Sequence, residues 1–361
     1  MGEDKMIHVG LIGLGGIMRG AHAPGIKASG AFEIAAVCDI NREALDTFGE
    51  AYDIPPERRF TDYRDLIACP AVEAVDIGTP NDVHVPIALA AVAAGKPFSC
   101  EKPVALNAPD AIRLADAARA AGLPSMVCFS YRYVPAARFA RDLVRKGDLG
   151  EIQHVAIQYM QGWGLADVAC PLRWRFIKAR SGSGALGDLG SHAIDLVSFI
   201  TGLGYRQVVS QCATVVKERP LTEDPSKTGP VDVDDYANFM AEMQGGASCC
   251  FQITRLAFAR GNYQRLEIYG TRGALVYMLD ADGNNRGTID ICIGNAMRQS
   301  RAFVRTEIPA CYTVSQMSAY ADILKKRGDG LSATIDDGAE NMKVMDAVLA
   351  SQTSGRWVPV Q

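Results

Sequence analysis

Residues 6–18 read Met6-Ile7-His8-Val9-Gly10-Leu11-Ile12-Gly13-Leu14-Gly15-Gly16-Ile17-Met18. The first seven form a short apolar run, and the glycines that follow mark a tight turn before a helix start. Gly13 and Gly15 let backbone N–H groups approach a ligand closely, and the helix N-terminus beyond them carries partial positive charge. The turn therefore suits a pyrophosphate. Met18 stands where the pattern G-x-G-x-x-G has its third glycine, so the motif is incomplete.

Working outward, Phe32-Glu33-Ile34-Ala35-Ala36-Val37-Cys38 predicts a second strand, ending at Asp39. An acid about twenty residues beyond the glycine turn is placed to accept from a ribose hydroxyl and to repel a 2'-phosphate, which favours NAD over NADP. Arg42 tempers that preference. Helical patterns near 42–52, 63–68, 85–94 and 108–121 then alternate with apolar runs at 72–77, 97–100 and 125–129. Such alternation predicts a doubly wound parallel sheet, with ligands bound beyond the carboxyl ends of its strands. The tips there are Gly13 to Met18, Asp39, Thr79-Pro80-Asn81 and Glu101-Lys102-Pro103. Pro103 keeps Lys102 extended, so its ammonium is aimed away from the strand end toward the crevice, although a solvated surface lysine fits the same position.

Composition narrows the class. The chain has 361 residues, 22% charged and 48% hydrophobic, with a net charge of −4. That is enough chain for two cores and gives no basic field for nucleic acid. The charged start Met1-Gly2-Glu3-Asp4-Lys5 does not resemble a signal peptide, and no apolar run reaches membrane-spanning length. Ten scattered cysteines without a C-x-x-C pair point to neither a metal site nor a disulfide framework. A cytoplasmic protein without membrane association is expected.

A second stretch carries candidate chemistry. In Gly182-Ser183-Gly184-Ala185-Leu186-Gly187-Asp188-Leu189-Gly190-Ser191-His192-Ala193-Ile194-Asp195-Leu196, the residues Asp188, His192 and Asp195 recur at i, i+4 and i+7. They share one helical face, beside an apolar stripe of Leu189, Ala193, Leu196 and Ile200. The four glycines are expected to loosen the approach to the helix and admit a ligand close to the backbone. The same pattern also fits Asp188 as a helix N-cap and His192 as a core histidine bonded to Asp195.

Taken together, Gly13-x-Gly15-Gly16-Ile17-Met18, Asp39, Thr79-Pro80-Asn81-x-x-His84, Glu101-Lys102-Pro103 and Gly184-x-x-x-Asp188-x-x-x-His192-x-x-Asp195 resemble the Gfo/Idh/MocA oxidoreductase family over nearly the whole chain. The resemblance implies an NAD-binding Rossmann domain, residues 1–130, and an α+β domain with a large, mostly antiparallel sheet, residues 131–361, for substrate binding and oligomerisation. It implies that Lys102, Asp188 and His192 meet at the nicotinamide as catalytic residues. Gly13, Gly15, Gly16, Ile17, Met18, Asp39, Arg42, Thr79, Pro80, Asn81, His84, Glu101 and Lys102 then form the cofactor set, and no metal is called for. The third-glycine position varies within the family.

Beyond residue 150 the pattern changes to alternating strands near 155–160, 207–217, 235–243, 247–255, 263–269 and 273–279, without intervening helices. This predicts an antiparallel sheet with one open face, suited to a homodimer or homotetramer. Before the histidine helix, Trp163, Arg173, Trp174, Arg175 and Lys178 offer aromatic faces and guanidinium donors that suit a hydroxylated ring. An ordinary buried Trp with basic neighbours fits equally. Tyr131 and Arg132, together with Trp174, Arg175, Lys102, Asp188 and His192, make up the substrate set, with Arg132 equally able to be structural. C-terminal helices are expected over 313–326 and 338–351.

The activity expected is reversible oxidation of a secondary hydroxyl on a sugar, sugar acid or inositol by NAD. Competing readings are a glycosidase that oxidises its ring transiently, and a non-catalytic dinucleotide sensor. Retention of Lys102, Asp188 and His192 together argues against the sensor.

Overall fold

The computed structural model describes residues 5–280 and 285–361. They divide into two compact units, Met1–Phe129 with Ser315–Ala339, and Ser130–Val314 with Glu340–Gln361.

In the first unit, six strands run β1 (Ile7–Ile12), β2 (Phe32–Cys38), β3 (Arg59–Phe60), β4 (Ala74–Ile77), β5 (Phe98–Cys100) and β6 (Ser125–Val127). They pair in parallel in the order β3-β2-β1-β4-β5-β6. Val9, Leu11, Val75, Ile77 and Phe98 are fully buried, as expected of parallel strands covered on both faces. The helices predicted at 42–52, 85–94 and 108–121 span Arg42–Ala51, His84–Ala93 and Ala108–Ala120. Asn41 and Asn107 cap the first and third by accepting from Ala44 and Asp110 N–H groups, which satisfies donors that a helix start leaves unpaired.

The first unit also takes in Ser315–Ala339, which the sequence reading assigned to the second domain. Tyr320 explains the return. It is fully buried, stacks on Phe32 at 5.6 Å and donates to the Val75 carbonyl at 3.0 Å. Val127 N–H adds a bond to the Ala333 carbonyl.

The second unit is built on nine strands. These are β7 (Ile152–Met160), β8 (Tyr205–Ala213), β11 (Tyr236–Met243), β12 (Ser248–Thr254), β13 (Tyr263–Gly270), β14 (Gly273–Leu279), β15 (Thr288–Ile293), β16 (Val304–Thr306) and β17 (Val358–Pro359). A separate hairpin pairs β9 (Glu218–Pro220) with β10 (Thr228–Pro230). The large sheet runs β16-β15-β14-β13-β7-β12-β11-β8-β17, antiparallel except where β7 meets β12. Alternation sets its two faces: Ala237, Phe239, Ala241 and Met243 are buried, whereas Asn238 and Met240 between them are exposed. Pro135–Arg145 and Ser191–Thr201 pack on each other, and the latter also packs on β7. Among the described residues no helix is long and apolar enough to cross a membrane, and all ten cysteines are free thiols.

Candidate active site

In the first unit the carboxyl ends of β1, β2, β4 and β5 lie side by side, with Ile12 paired to Cys38 and Ile77, and Ile77 to Cys100. The chain order reverses between β1 and β4, the place where open parallel sheets bind ligands. Gly13 has φ +86°, and a Cβ there would lie 2.7 Å from Thr79 Cγ2 and 2.8 Å from the Thr79 nitrogen. Only glycine lets the two tips close together. Gly15 and Gly16, by contrast, face open space, which leaves room for phosphates against their backbone. Met18 is fully buried with its Cε near Gly78, where a Cβ would come within 3.1 Å. The glycine missing at position 18 is thus compensated at position 78.

The Asp39 carboxylate accepts from Leu14 N–H at 2.7 Å and Asn41 N–H at 2.8 Å. Each oxygen has spare lone pairs, so the residue braces the glycine turn and can still accept ribose hydroxyls. Ile17 and Ile40 are 41% and 91% exposed, apolar side chains on the rim of this crevice. Arg42 is exposed on the first turn of its helix. Thr79 Oγ1 is buried with no hydrogen-bond partner among the described residues. That orphaned hydroxyl beside open glycines is what a site awaiting a polar cofactor requires. Asn81 is buried next to a half-buried Pro80.

His84 ties two tips together, its ring nitrogens 2.9 Å from the Thr79 and Pro103 carbonyls. Burial pushes its pKa down. It is fully buried, at 0% exposure. Glu101 accepts from His22 at 3.0 Å and from Lys102 N–H at 3.2 Å, and the Lys102–Pro103 peptide is cis.

In the second unit, Asp188 lies in a wide i→i+5 turn, Leu186–Gly190, that runs into the helix Ser191–Thr201. The Asp188 carboxylate is 3.9 Å from Arg175 Nε, and the Arg175 guanidinium stacks over Trp174 at 4.3 Å. The glycines around it answer to packing rather than to a ligand. A Cβ on Gly184 would lie 1.8 Å from the Asp234 carbonyl oxygen, one on Gly187 would lie 2.8 Å from Ser183 Oγ, and one on Gly190 would lie 3.0 Å from Leu186 Cδ1. Asp234 explains the tight fit, since its carboxylate accepts from Gly184 and Leu186 N–H groups at 2.7 Å each. This corrects the expectation that the glycines open the backbone to a ligand.

His192 is 8% exposed and packs against the edge of Tyr131, ring centroids 4.7 Å apart, with Tyr159 at 6.4 Å. The two phenol oxygens are 2.5 Å apart, and both contact Asn262 Oδ1, at 3.0 and 2.8 Å. Gln161 Nε2 donates to the same oxygen at 2.8 Å, while Trp163 Nε1 donates to Gln161 Oε1 at 2.7 Å. Burial pushes both phenols above their ordinary pKa, so they remain hydroxyls. The result is a chain of neutral donors and acceptors from the histidine to an indole.

Arg132, placed in the substrate set, is 7% exposed and clamps Asp195 through Nε at 2.9 Å and Nη2 at 2.6 Å. Both side chains of that pair are buried. Trp163 packs on Phe176 at 5.6 Å, and behind them Arg219 and Arg255 lie 4.0 and 4.5 Å from the Phe176 ring. Those two buried guanidiniums share Asp235, whose Oδ1 is 2.9 Å from Arg255 Nε and 3.9 Å from Arg219 Nη2. Arg173 and Lys178 are exposed. Tyr159, Gln161 and Asn262 went unread in the sequence. A tyrosine on the buried face of β7 was a signal, but nothing marked Asn262.

The family description "Oxidoreductase family, NAD-binding Rossmann fold" matches residues 7–129, and "GFO/IDH/MocA C-terminal domain" matches residues 137–276. Levoglucosan dehydrogenase of Pseudarthrobacter phenanthrenivorans is 32% identical over 98% of both chains. An oxidoreductase domain protein from Kribbella flavida superposes with a TM-score of 0.88 at 33% identity, covering 99% of this chain and 100% of that one. A levoglucosan dehydrogenase solved with NADH and levoglucosan superposes with a TM-score of 0.88 at 29% identity, again over 99% and 100%. With both of its domains matched by the family's descriptions and with these relatives, the chain belongs to the NAD-binding Gfo/Idh/MocA oxidoreductases.

Proposed function

We propose that this dehydrogenase oxidises a secondary hydroxyl of a sugar, sugar acid or inositol, reversibly, with NAD. The observation that carries the reading is the neutral hydroxyl and amide chain Tyr131, Tyr159, Asn262, Gln161 and Trp163 beside His192. A polyol is all hydroxyls and C–H faces, and such groups pair with amides, phenols and aromatic rings without the cost of burying an ion. The named ligands of the levoglucosan dehydrogenase complexes, levoglucosan and L-sorbose, belong to that class.

Bound at the glycine turn, NAD supplies a hydride acceptor. His192 takes the hydroxyl proton as general base, so that the O–H electron pair forms the carbonyl as the carbon-bound hydrogen leaves with its two electrons. Lys102 donates to the same oxygen and favours its developing negative charge. Asp188 holds a neighbouring hydroxyl, and Arg175 with Trp174 lies against the ring. Gly13, Gly15, Gly16, Ile17, Asp39 and Thr79 hold the dinucleotide, with Ile40 covering its base. The open face of the nine-stranded sheet supports assembly into a homo-oligomer, which light scattering of the purified chain tests.

The test is NADH absorbance with NAD and a panel of levoglucosan, aldopyranoses, sugar acids and inositols. Production with one stereochemical subset is expected. Silence across the panel, with NAD binding confirmed by calorimetry, would overturn the reading, and tightly retained cofactor with glycoside cleavage would favour transient ring oxidation.

A further inference from the structure

The wide turn Met18–His22, which follows the glycine turn, ends in a histidine that the activity just proposed does not use. His22 is 2% exposed. Its Nδ1 is 2.8 Å from Asp76 Oδ2 in β4, and its Nε2 is 3.0 Å from Glu101 Oε1 at the tip of β5. Asp76, fully buried, also accepts from Ser99 Oγ at 2.6 Å. Glu101 extends the chain one step, since its other oxygen accepts from the Lys102 backbone N–H at 3.2 Å.

We propose that His22 is a positioning residue for Lys102: its imidazole fastens Glu101 to Asp76 in the strand core, and the fastened Glu101 carboxylate holds the Lys102 backbone. The inference rests on the catalytic reading of Lys102 for its importance, but its geometry stands within the first unit alone.

The chemistry of the contacts sets the state of the ring. Carboxylates offer lone pairs only, so each nitrogen bonds by donating, and a ring that donates twice is an imidazolium. The groups that face it are Asp76 from β4, Glu101 beyond β5 and Cys128 beyond β6, whose Sγ lies within 4.8 Å of the His22 and Asp76 ligand atoms. Burial holds the Cys128 thiol protonated, well above its ordinary pKa. Tyr320, near Asp76, is raised in the same way and stays neutral. Burial alone disfavours a charged ring, but the two carboxylates outweigh it and raise the His22 pKa from 6.5 to about 10. A charge-assisted bond at each nitrogen makes the link stiff as well as short. His84, which bonds only neutral carbonyls, is driven the other way.

Two measurements on the full chain test the proposal. In wild-type protein labelled with 15N-histidine, His22 is expected to show two protonated ring nitrogens up to about pH 9; a ring that titrates near 6.5 would overturn the link. In His22→Gln at pH 7, hydrogen exchange of the Lys102 amide is expected to rise about tenfold or more, while amides of β1 keep their protection. In wild type the same local rise, corrected for intrinsic exchange, is expected as pH passes about 10. Unchanged Lys102 exchange in a folded His22→Gln protein would overturn the positioning role. Should that variant fail to fold, the wild-type ring state and the pH dependence of Lys102 exchange decide alone. Failure of the catalytic reading shows separately, as undiminished NADH production by Lys102→Met on a sugar that wild type oxidises.

Discussion

Two buried histidines of this chain sit in contrasting surroundings, and different work is proposed for each. His22, in the first unit, lies between Asp76 and Glu101, and its pKa is raised to about 10. His192, in the second, packs edge-on with Tyr131 and tilted against Tyr159, beside a chain of neutral hydroxyls and amides. A general base has to cycle between neutral and charged near working pH, and a ring pinned between two carboxylates is unsuited to that. Both side chains are almost hidden from solvent, so burial does not separate the holding role proposed for His22 from the proton-moving role proposed for His192.

The sharpest way to break the comparison is His192→Ala. Turnover on an oxidised sugar is expected to fall by about two to four orders of magnitude, with NAD affinity by calorimetry nearly unchanged. Normal turnover would remove the proton-moving half.

His22→Gln probes the other half through stability. Because the folded pKa lies above the unfolded value of 6.5, the ring's contribution is complete below about pH 6.5 and is lost as pH rises toward and through about 10. Near pH 6 the variant is expected to be less stable by about 3–5 kcal/mol, as for one partner removed from a buried ion pair. That gap, read by denaturant titration, is expected to narrow steadily up to pH 10, and a pH-independent gap would refute the fixed cation.

Smaller effects sharpen the picture. Asp39→Ala removes an acceptor from the glycine turn and from the ribose, and NAD affinity is expected to weaken about tenfold or more, with discrimination against NADP reduced. Tyr131→Phe takes one hydroxyl out of the neutral chain but keeps the ring against His192. A loss of about 1 kcal/mol, near fivefold in kcat/KM, is expected, borne mainly by KM.

Much of the architecture was legible because it is local. Apolar runs ending at Ile12, Cys38, Ile77 and Cys100 are short-range patterns, and they became the parallel strands whose tips form the crevice. The alternation in β7, β11, β12, β13 and β14 was equally readable. What stayed hidden depends on partners far along the chain. The return of Ser315–Ala339 rests on Tyr320 meeting Phe32 and Val75. The short strands β9, β10, β16 and β17 have two or three residues each, too few for a period to show. Glycines 184, 187 and 190 read as ligand access, whereas Gly184 is required by the Asp234 backbone fifty positions away.

The site was legible by type more than by arrangement. Asp188 with Arg175 and Trp174, and His192 with Tyr131, came together within one unit as residues the sequence had singled out. Arg132 pairs with Asp195, and Asn262 joins from the start of β13 with no motif to mark it. An asparagine gains meaning only from the three donors that converge on it, and spacing in sequence does not encode that.

The fate of one hydrogen tests direct hydride transfer most plainly. With levoglucosan, or whichever sugar of the panel is oxidised, deuterated at its ring carbons one at a time, the NADH formed is to be examined by mass spectrometry. Deuterium from a single secondary carbinol carbon is expected in the nicotinamide ring, with none exchanged from solvent. Reduced cofactor without that deuterium, or deuterium lost to water with no net reduction, would contradict direct hydride transfer from a sugar hydroxyl-bearing carbon.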